Sequence, residues 1–369
     1  MQTTLYLPQK NKSFHMVLDA AENIIKITFG EIGKRQFVKT RPAEDWDKII
    51  NEKKQNGYTE IFTKESNEAA EEANVVTRAD DVIQLLKTIS KHIVDEGYKL
   101  SPQYLSDENI ARAKDSLLKL SQLTNLYSFN QQLFELFSII PRKMSRPILY
   151  TARSEKDFTS ILQRESDLLD NLGCYSIDAD SIRLTECTKK ETQEIMSLFD
   201  DVISKKVNGI YLVNNIEQQE NYQKYIEDNK IKNHRLLFHG SRNENWWSII
   251  NNGLKTNPVN VVISGKMFGN GIYFADSSDK SAGYTSLRTA RHTDGNSNRA
   301  FLGIYDVALG NPMQIHKWDY SYTNLDEAQI KANGFDSVHA YKGVDLVHDE
   351  MIVYNNYACC LKYLIELRE

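Results

Sequence analysis

The sequence predicts an α+β multidomain protein: a small β/α domain over 1–64, an all-α domain over 75–172, and a C-terminal α+β domain with a mostly antiparallel sheet over 173–369. Three observations carry this. The 369 residues exceed what one hydrophobic core usually serves. An acidic stretch without aromatic residues, ESNEAAEEAN at 65–74, divides two textures. Past about residue 172, helical apolar periodicity gives way to short β-rich runs, without the strand–helix alternation of a parallel sheet.

Taken in order, FHMVLD and IIKITFG read as strands, with EIGKRQ as the turn after the second. A helix over Ala43 to Gln55 places Trp46, Ile49 and Ile50 on one face, and Gly57 stops it. Beyond the acidic stretch come four apolar stripes at helical spacing. Val82, Leu85, Leu86, Ile89 and Ile93 make the first; Ile110, Ala113, Leu117 and Leu120 the second. FNQQLFELFSII, closed by Pro141, is the third, and Phe158, Ile161, Leu162, Leu168, Leu169 and Leu172 the fourth. Periodicity here describes a helical bundle and carries no polar constellation for chemistry. In the last domain RLLFHG, GIYFA, FLGIYDVALG, MIVYN and CCLKYLIEL are the clearest strands, flanked by helices such as KKETQEIMSLFDDVISKK.

Composition narrows the function classes. Hydrophobic content of 41% and charged content of 26% are ordinary for a soluble protein. No run approaches the ~20 apolar residues of a membrane span, and the N-terminus lacks the basic-then-apolar order of a secretion signal. Cys174, Cys187, Cys359 and Cys360 show no metal-ligand spacing, which predicts reduced thiols and no metal site. The expected setting is nuclear in a eukaryote and cytoplasmic otherwise, with no membrane association and no secretion. A net charge of −5 argues against indiscriminate nucleic-acid binding. Residues 1–64 are the exception, with 11 Lys+Arg against 8 Asp+Glu.

Three stretches suggest chemistry. In RLLFHGSRNENWW, an apolar strand ends in His239, Gly240 and Ser241, where a strand commonly opens into a cleft. In GKMFGNGIYFADSSDKSAGY the glycines suggest a phosphate loop, but neither the P-loop nor the dinucleotide pattern is completed. They serve either a close-lying flat ligand or a turn. Tyr273 and Tyr284 either sandwich a planar heteroaromatic ring or fill the core. In HDEMIVYNNY, Glu350 stands at the mouth of an apolar strand, as His239 does. A carboxylate and an imidazole at two strand ends suit a diol such as a ribose, and the carboxylate can stabilise positive charge on the sugar. A hydrolase triad is disfavoured, because no G-x-S-x-G elbow supplies its nucleophile.

Together, LLFHGSRNENWWSIINNGLK, GKMFGNGIYFADSSDKSAGY and DEMIVYNNYACCLKYLIEL resemble, in order and spacing, the catalytic domain of the poly(ADP-ribose) polymerase family. Residues 75–172 resemble that family's autoinhibitory helical domain, with LFELFSIIPRKMSRP the closest stretch. Residues 1–64 resemble a WGR domain, through ITFGEIGKRQF and KKQNGYTEI. The resemblance implies an NAD-consuming transferase of the His-Tyr-Glu type, with NAD as co-substrate and no metal. His239 would hold the adenosine ribose, Gly240 would pair through its backbone with the nicotinamide carboxamide, and Ser281 would add a bond to it. Tyr284 would stack on the nicotinamide with Tyr273 on its other side, Ser241 and Asn245 would lie near the adenosine, and Glu350 would be the catalytic carboxylate. It also implies protein acceptors, the enzyme itself among them.

Departures from the family pattern fall on the acceptor side, where Met267, Lys280 and His348 are expected. Asn270 replaces a lysine of GKGIY, and His348 replaces a tyrosine, whereas Lys280 is kept and would bind an acceptor pyrophosphate. A WGR domain implies contact with damaged DNA ends. In place of Trp-Gly-Arg the chain has Phe29-Gly30-Glu31: phenylalanine can stack, but glutamate repels phosphate. Lys34, Arg35, Lys39 and Arg41 supply cations beside it. The competing readings are single ADP-ribosyl transfer or NAD hydrolysis, and a DNA-binding scaffold with an inactive transferase fold.

Overall fold

The structure, a computed structural model, describes residues 2–7, 12–19, 22–31, 37–61, 78–99, 102, 105–175, 177, 182–256, 267–293 and 295–369. The acidic stretch 65–74, Lys34, Arg35 and most of the turn EIGKRQ lie outside the described residues. Contacts divide the chain into two compact units, 1–74 and 75–369.

In the first unit, β1 (Gln2–Leu7), β2 (Lys12–Asp19), β3 (Ile24–Glu31), β4 (Phe37–Pro42) and β5 (Thr59–Ile61) form an antiparallel sheet in the order β4-β3-β2-β1-β5. Strand alternation puts Leu5, Phe14, Met16, Ile25 and Ile27 on one buried set. Helix α1 (Trp46–Gln55) adds Trp46 to it, with Ile49 and Ile50 packed alongside. Gly57, at φ +84°, reverses the chain after the helix in a conformation only glycine takes easily.

In the second unit come α2 (Arg78–Gly97), α3 (Asp107–Ser121), α4 (Leu126–Ile139) and α5 (Phe158–Gly173). Ser106 caps α3 by accepting from Asn109 N–H, and Asn125 caps α4 by accepting from Tyr127 and Ser128 N–H. Leu120, Phe129, Leu133, Leu168 and Leu172 lie in the bundle core, and the Phe129 and Phe158 rings stack at 3.8 Å. The buried face of α2 differs from the predicted stripe. Val82 and Leu86 are buried, but Leu85, Ile89 and Ile93 are only half-buried, and Ala79, Ile83, Ser90 and Val94 complete the face. The reason is that α2 serves two cores. Ala79, Val82, Ile83 and Leu86 join Tyr211, Trp246 and Trp247, whereas Val94 joins the bundle.

The remaining strands are β6 (Arg183–Glu186), β7 (Val207–Asn214), β8 (His234–Gly240), β9 (Ile272–Phe274), β10 (Arg299–Ala308), β11 (Pro312–Ile315), β12 (Ser337–Ala340), β13 (Glu350–Val353) and β14 (Cys359–Arg368). One sheet has the order β6-β7-β14-β10-β8 and the other β11-β12-β13-β9. All described pairs are antiparallel except β11 with β12, where the connection through a helix makes a parallel crossover. The two sheets meet at a bridge: Phe238 N–H donates to the Ala275 carbonyl at 2.8 Å, and Ala275 N–H to the Phe238 carbonyl at 3.1 Å.

The segment KKETQEIMSLFDDVISKK is two helices, α6 (Lys189–Met196) and α7 (Asp201–Ser204). The break frees Asp200, whose carboxylate accepts from Ser277 Oγ (3.0 Å), Ser278 Oγ (2.9 Å) and Asp279 N–H (2.8 Å). Helices α8 (Ile216–Asp228), α9 (Trp246–Asn252), α10 (Ser278–Ala282) and α11 (Glu327–Ala332) complete the unit. No described helix is long and apolar enough to cross a membrane. All four cysteines are free thiols, and Cys174, Cys359 and Cys360 are buried.

Candidate active site

The site lies where the two sheets meet. Leu237 and Phe238 bury the end of β8, and the chain then emerges at His239 and Gly240, both half-buried. His239 Nδ1 lies 2.9 Å from the Tyr273 carbonyl of β9. A carbonyl only accepts, so Nδ1 carries a proton and donates it to Tyr273. The imidazole leans on Phe274 and Tyr305, at centroid distances of 5.7 and 6.0 Å.

Gly240 is required by proximity. A Cβ there would fall 1.8 Å from the Ser281 carbonyl and 3.2 Å from Tyr284 Cβ, so backbone lies directly against α10. Helix α10 is anchored by the Asp200 carboxylate at its start. It carries Lys280 and the buried Ser281, with Tyr284 just beyond its end. Tyr284 is 42% exposed, and its ring stacks on His292 at 4.5 Å.

Tyr273 is engaged at both phenol roles: its O–H donates to the Gly269 carbonyl (2.9 Å) and accepts from Phe268 N–H (3.0 Å). Burial pushes the phenols of Tyr273 and Tyr284 up, and the Glu350 charge adds to this in both; at Tyr273 the Phe268 bond opposes it. Both phenols are therefore protonated at neutral pH. Of the loop glycines, Gly265 lies outside the described residues, and Gly269 and Gly271 serve turn and packing. Gly269 has φ +75° and lies against Leu325, and a Cβ on Gly271 would meet Ile352 at 2.2 Å.

Glu350 begins β13, paired with Ala340 of β12, while its neighbour Met351 pairs with Phe274 of β9. Its carboxylate forms an ion pair with the Lys280 ammonium, both side chains being 15% exposed. The lysine expected on the acceptor side thus has its charge on the carboxylate. Met267 is half-buried beside Tyr273, and its carbonyl accepts from Trp318 Nε1 at 2.9 Å. His348 is half-buried two residues before Glu350 and joins none of these side-chain contacts among the described residues.

Asn245 Nδ2 donates to Ser241 Oγ at 3.2 Å. Asn245 Oδ1 is buried with no partner among the described residues, an unmet acceptor of the kind a bound polar ligand satisfies. Sequence reasoning missed Asp167 of α5, which accepts from Arg242 at 3.0 Å and from Gln163 at 2.6 Å. Burial raises its carboxyl to about 6, with the Arg242 charge and the hydrogen bonds opposing. It also missed Asp200 and His292. Nothing local in the sequence links these residues to the motifs, since the first two contacts span more than seventy residues.

On the first unit, Phe29 lies 5.9 Å from both Phe14 and Phe37. Lys39 sits over Phe29 (5.1 Å) and Phe14 (5.6 Å). Lys53, absent from the predicted set, sits over Phe14 (4.7 Å) and Tyr58 (5.4 Å). Arg41 is exposed on the edge strand β4, where Phe37 and Val38 are exposed as well. Burial and the charges of Arg41 and Lys53 hold the Lys39 ammonium below its usual range.

Comparison with known proteins points the same way. The family model described as the poly(ADP-ribose) polymerase catalytic domain matches residues 189–369. A putative poly [ADP-ribose] polymerase-like protein of Invertebrate iridescent virus 6 is 33% identical over 184 residues, covering 48% of this chain and 96% of the viral protein. Poly [ADP-ribose] polymerase 2 of Arabidopsis thaliana is 23% identical over 398 residues, covering 91% of this chain and 61% of the plant protein. Poly [ADP-ribose] polymerase 1 of Danio rerio is 32% identical over 176 residues, covering 42% of this chain and 17% of the fish protein. The chain thus spans nearly all of the viral relative and less than two thirds of the plant and fish ones.

Proposed function

This chain belongs to the poly(ADP-ribose) polymerase family, and from that premise we propose that it cleaves NAD at the nicotinamide–ribose bond, transfers ADP-ribose to protein acceptors including itself, and elongates the chain, on activation by broken DNA ends. The observation that carries this is the convergence of His239, Tyr273 and Glu350 at the junction of the two sheets, with Gly240 backbone against α10.

The residues divide the work. His239, oriented by its Nδ1 bond to the Tyr273 carbonyl, binds a hydroxyl of the adenosine ribose. Gly240 backbone and the Ser281 hydroxyl take the carboxamide, and the Tyr273 and Tyr284 rings take the two faces of the nicotinamide. Ser241 and the unmet Asn245 Oδ1 serve the adenosine end. Glu350 places negative charge where the sugar becomes positive as nicotinamide leaves, and accepts the proton of the incoming hydroxyl. Lys280 holds that carboxylate and lies within reach of an anionic acceptor.

The helical region, 75–172, is assigned a restraining role. Asp167 of α5 holds Arg242, directly beyond His239, Gly240 and Ser241. In the first unit, Phe29, Lys39, Arg41 and Lys53 are assigned to DNA ends, and so, from the sequence alone, are Lys34 and Arg35. Aromatic rings stack on nucleotide moieties while the cations neutralise phosphate. The setting is nuclear in a eukaryote and cytoplasmic otherwise.

Incubation with labelled NAD, with and without nicked DNA, tests the reading. A DNA-dependent ladder of modified protein is expected. A single labelled band would reduce the activity to one transfer, free ADP-ribose alone would make the enzyme a hydrolase, and no turnover would overturn the reading. Benzamide-like compounds should compete with NAD, and a crystal structure placing one away from Gly240, Ser281 and Tyr284 would reject the pocket.

A further inference from the structure

The connector that leads into Glu350 is fastened at its base and open at its tip. Strands β12 and β13 pair as far as Ala340 and Glu350, and residues 341–349 join them. Asp349, the last of these, has one carboxylate oxygen 2.8 Å from His339 Nε2 on β12, and the other accepts Lys342 N–H at 2.9 Å. One carboxylate thus ties both arms at the mouth of the hairpin. Beside it, the Tyr341 ring is stacked between His339 (4.0 Å) and His316 (4.4 Å), and Tyr341 N–H donates to the Ile315 carbonyl at 2.8 Å. Further out, Trp318 N–H donates to the Asp345 carboxylate at 2.8 Å. The tip, by contrast, exposes Val344 and Val347 at 94% and 85%. Burial would raise the Asp349 carboxyl, but the Lys342 and His339 hydrogen bonds outweigh it and hold the group below its usual range. It is a carboxylate at neutral pH.

We propose that His339 and Asp349 form a clamp that positions Glu350, acting through the backbone without touching substrate. The proposal rests on the reading of Glu350 as the catalytic carboxylate. Glu350 is the first residue of its strand, so its side chain swings with the backbone of residue 349. Lys280 holds the carboxylate from α10, a different element, and does nothing to fix the strand end itself. Without the clamp, the last pair of β12 and β13 would fray toward the exposed connector. Displacing a reacting group by ~1 Å costs up to ~100-fold in rate.

The test is nicotinamide release from NAD by the full chain with nicked DNA present, comparing the parent with His339→Ala, Asp349→Ala and His339→Gln. Both alanine variants should lose about tenfold to a hundredfold in kcat, with KM for NAD within about twofold of the parent. In His339→Gln the amide N–H can still donate to Asp349, so most of the rate should return. Benzamide binding should be unchanged throughout, which separates the clamp from collapse of the donor pocket. Should the alanine variants fail to fold, His339→Phe keeps a ring against Tyr341, removes the donor to Asp349 and should still show a reduced kcat. Parent-like kcat in the alanine variants or in His339→Phe, a loss borne by KM and benzamide binding, or no recovery in His339→Gln would overturn the clamp. A parent chain that releases no nicotinamide would overturn the role of Glu350 first, and the clamp with it.

Discussion

Around β8 and α10 the backbone itself is part of the candidate site. Gly240 lies where a single Cβ would collide with the Ser281 carbonyl, and His239 takes its orientation from the Tyr273 carbonyl. In the N-terminal sheet, the contacts are long side chains over rings. Lys39 and Lys53 reach Phe14, Phe29 and Tyr58 through flexible stems. The contrast follows from what each is proposed to hold. A dinucleotide with one scissile bond needs atoms fixed to fractions of an ångström, whereas a polyanion asks only for positive charge beside stacking surface.

Four variants test that contrast, the largest effect first. Glu350→Gln keeps shape and loses the charge and the proton acceptor. It should retain NAD binding and lose about 10²- to 10⁴-fold in turnover, with no polymer on a labelled-NAD gel. Long polymers from this variant would remove Glu350 from the mechanism. Gly240→Ala should abolish benzamide binding and destabilise the second unit by about 1–3 kcal/mol, because backbone must move to admit the methyl. Parent-like affinity and melting would show that the close approach is dispensable.

Asp167→Asn probes the contact between α5 and the loop after β8. The carboxyl is raised to about 6 by burial, so the folded state holds the proton more tightly than the unfolded chain does. Its stabilising contribution is complete below the ordinary carboxyl range and is lost as pH rises through about 6. Thermal melts at pH 5 and pH 7.5 should therefore show a difference, parent against variant, equivalent to roughly 1–3 kcal/mol. Identical pH slopes would place the Asp167 titration elsewhere. The same variant should raise basal activity without DNA if the contact restrains the site.

The smallest effect is expected from Lys39→Ala with Lys53→Ala. Removing two phosphate contacts should lower the salt slope of DNA binding by about two and weaken binding severalfold at ~0.15 M salt. Basal turnover without DNA should be unchanged. An unaltered salt slope would leave this face without a nucleic-acid role.

Much of this was legible in the residues. Strands β2 and β3, α1 with Trp46, and the helices of the bundle follow from local apolar period. The loop glycines were ambiguous because a glycine that turns, one that packs and one that cradles a ligand look alike in a sequence. The left-handed φ of Gly269 and the contact of Gly271 with Ile352 decide for turn and packing. The buried face of α2 was misjudged because periodicity finds a stripe but cannot tell that one helix feeds two cores.

By itself, then, the sequence determined whatever is encoded over a few neighbouring residues: the strand that ends in His239-Gly240-Ser241, the apolar strand begun by Glu350, and the basic character of the first sixty-four residues. Tertiary structure alone decided which distant groups meet. It put Lys280 on Glu350, Asp200 on the start of α10 and Asp167 on Arg242. The physical reason is one of range. Periodicity, capping and turn chemistry act over a few residues, whereas these contacts form only once packed sheets and helices carry residues far apart in the chain to within hydrogen-bond distance.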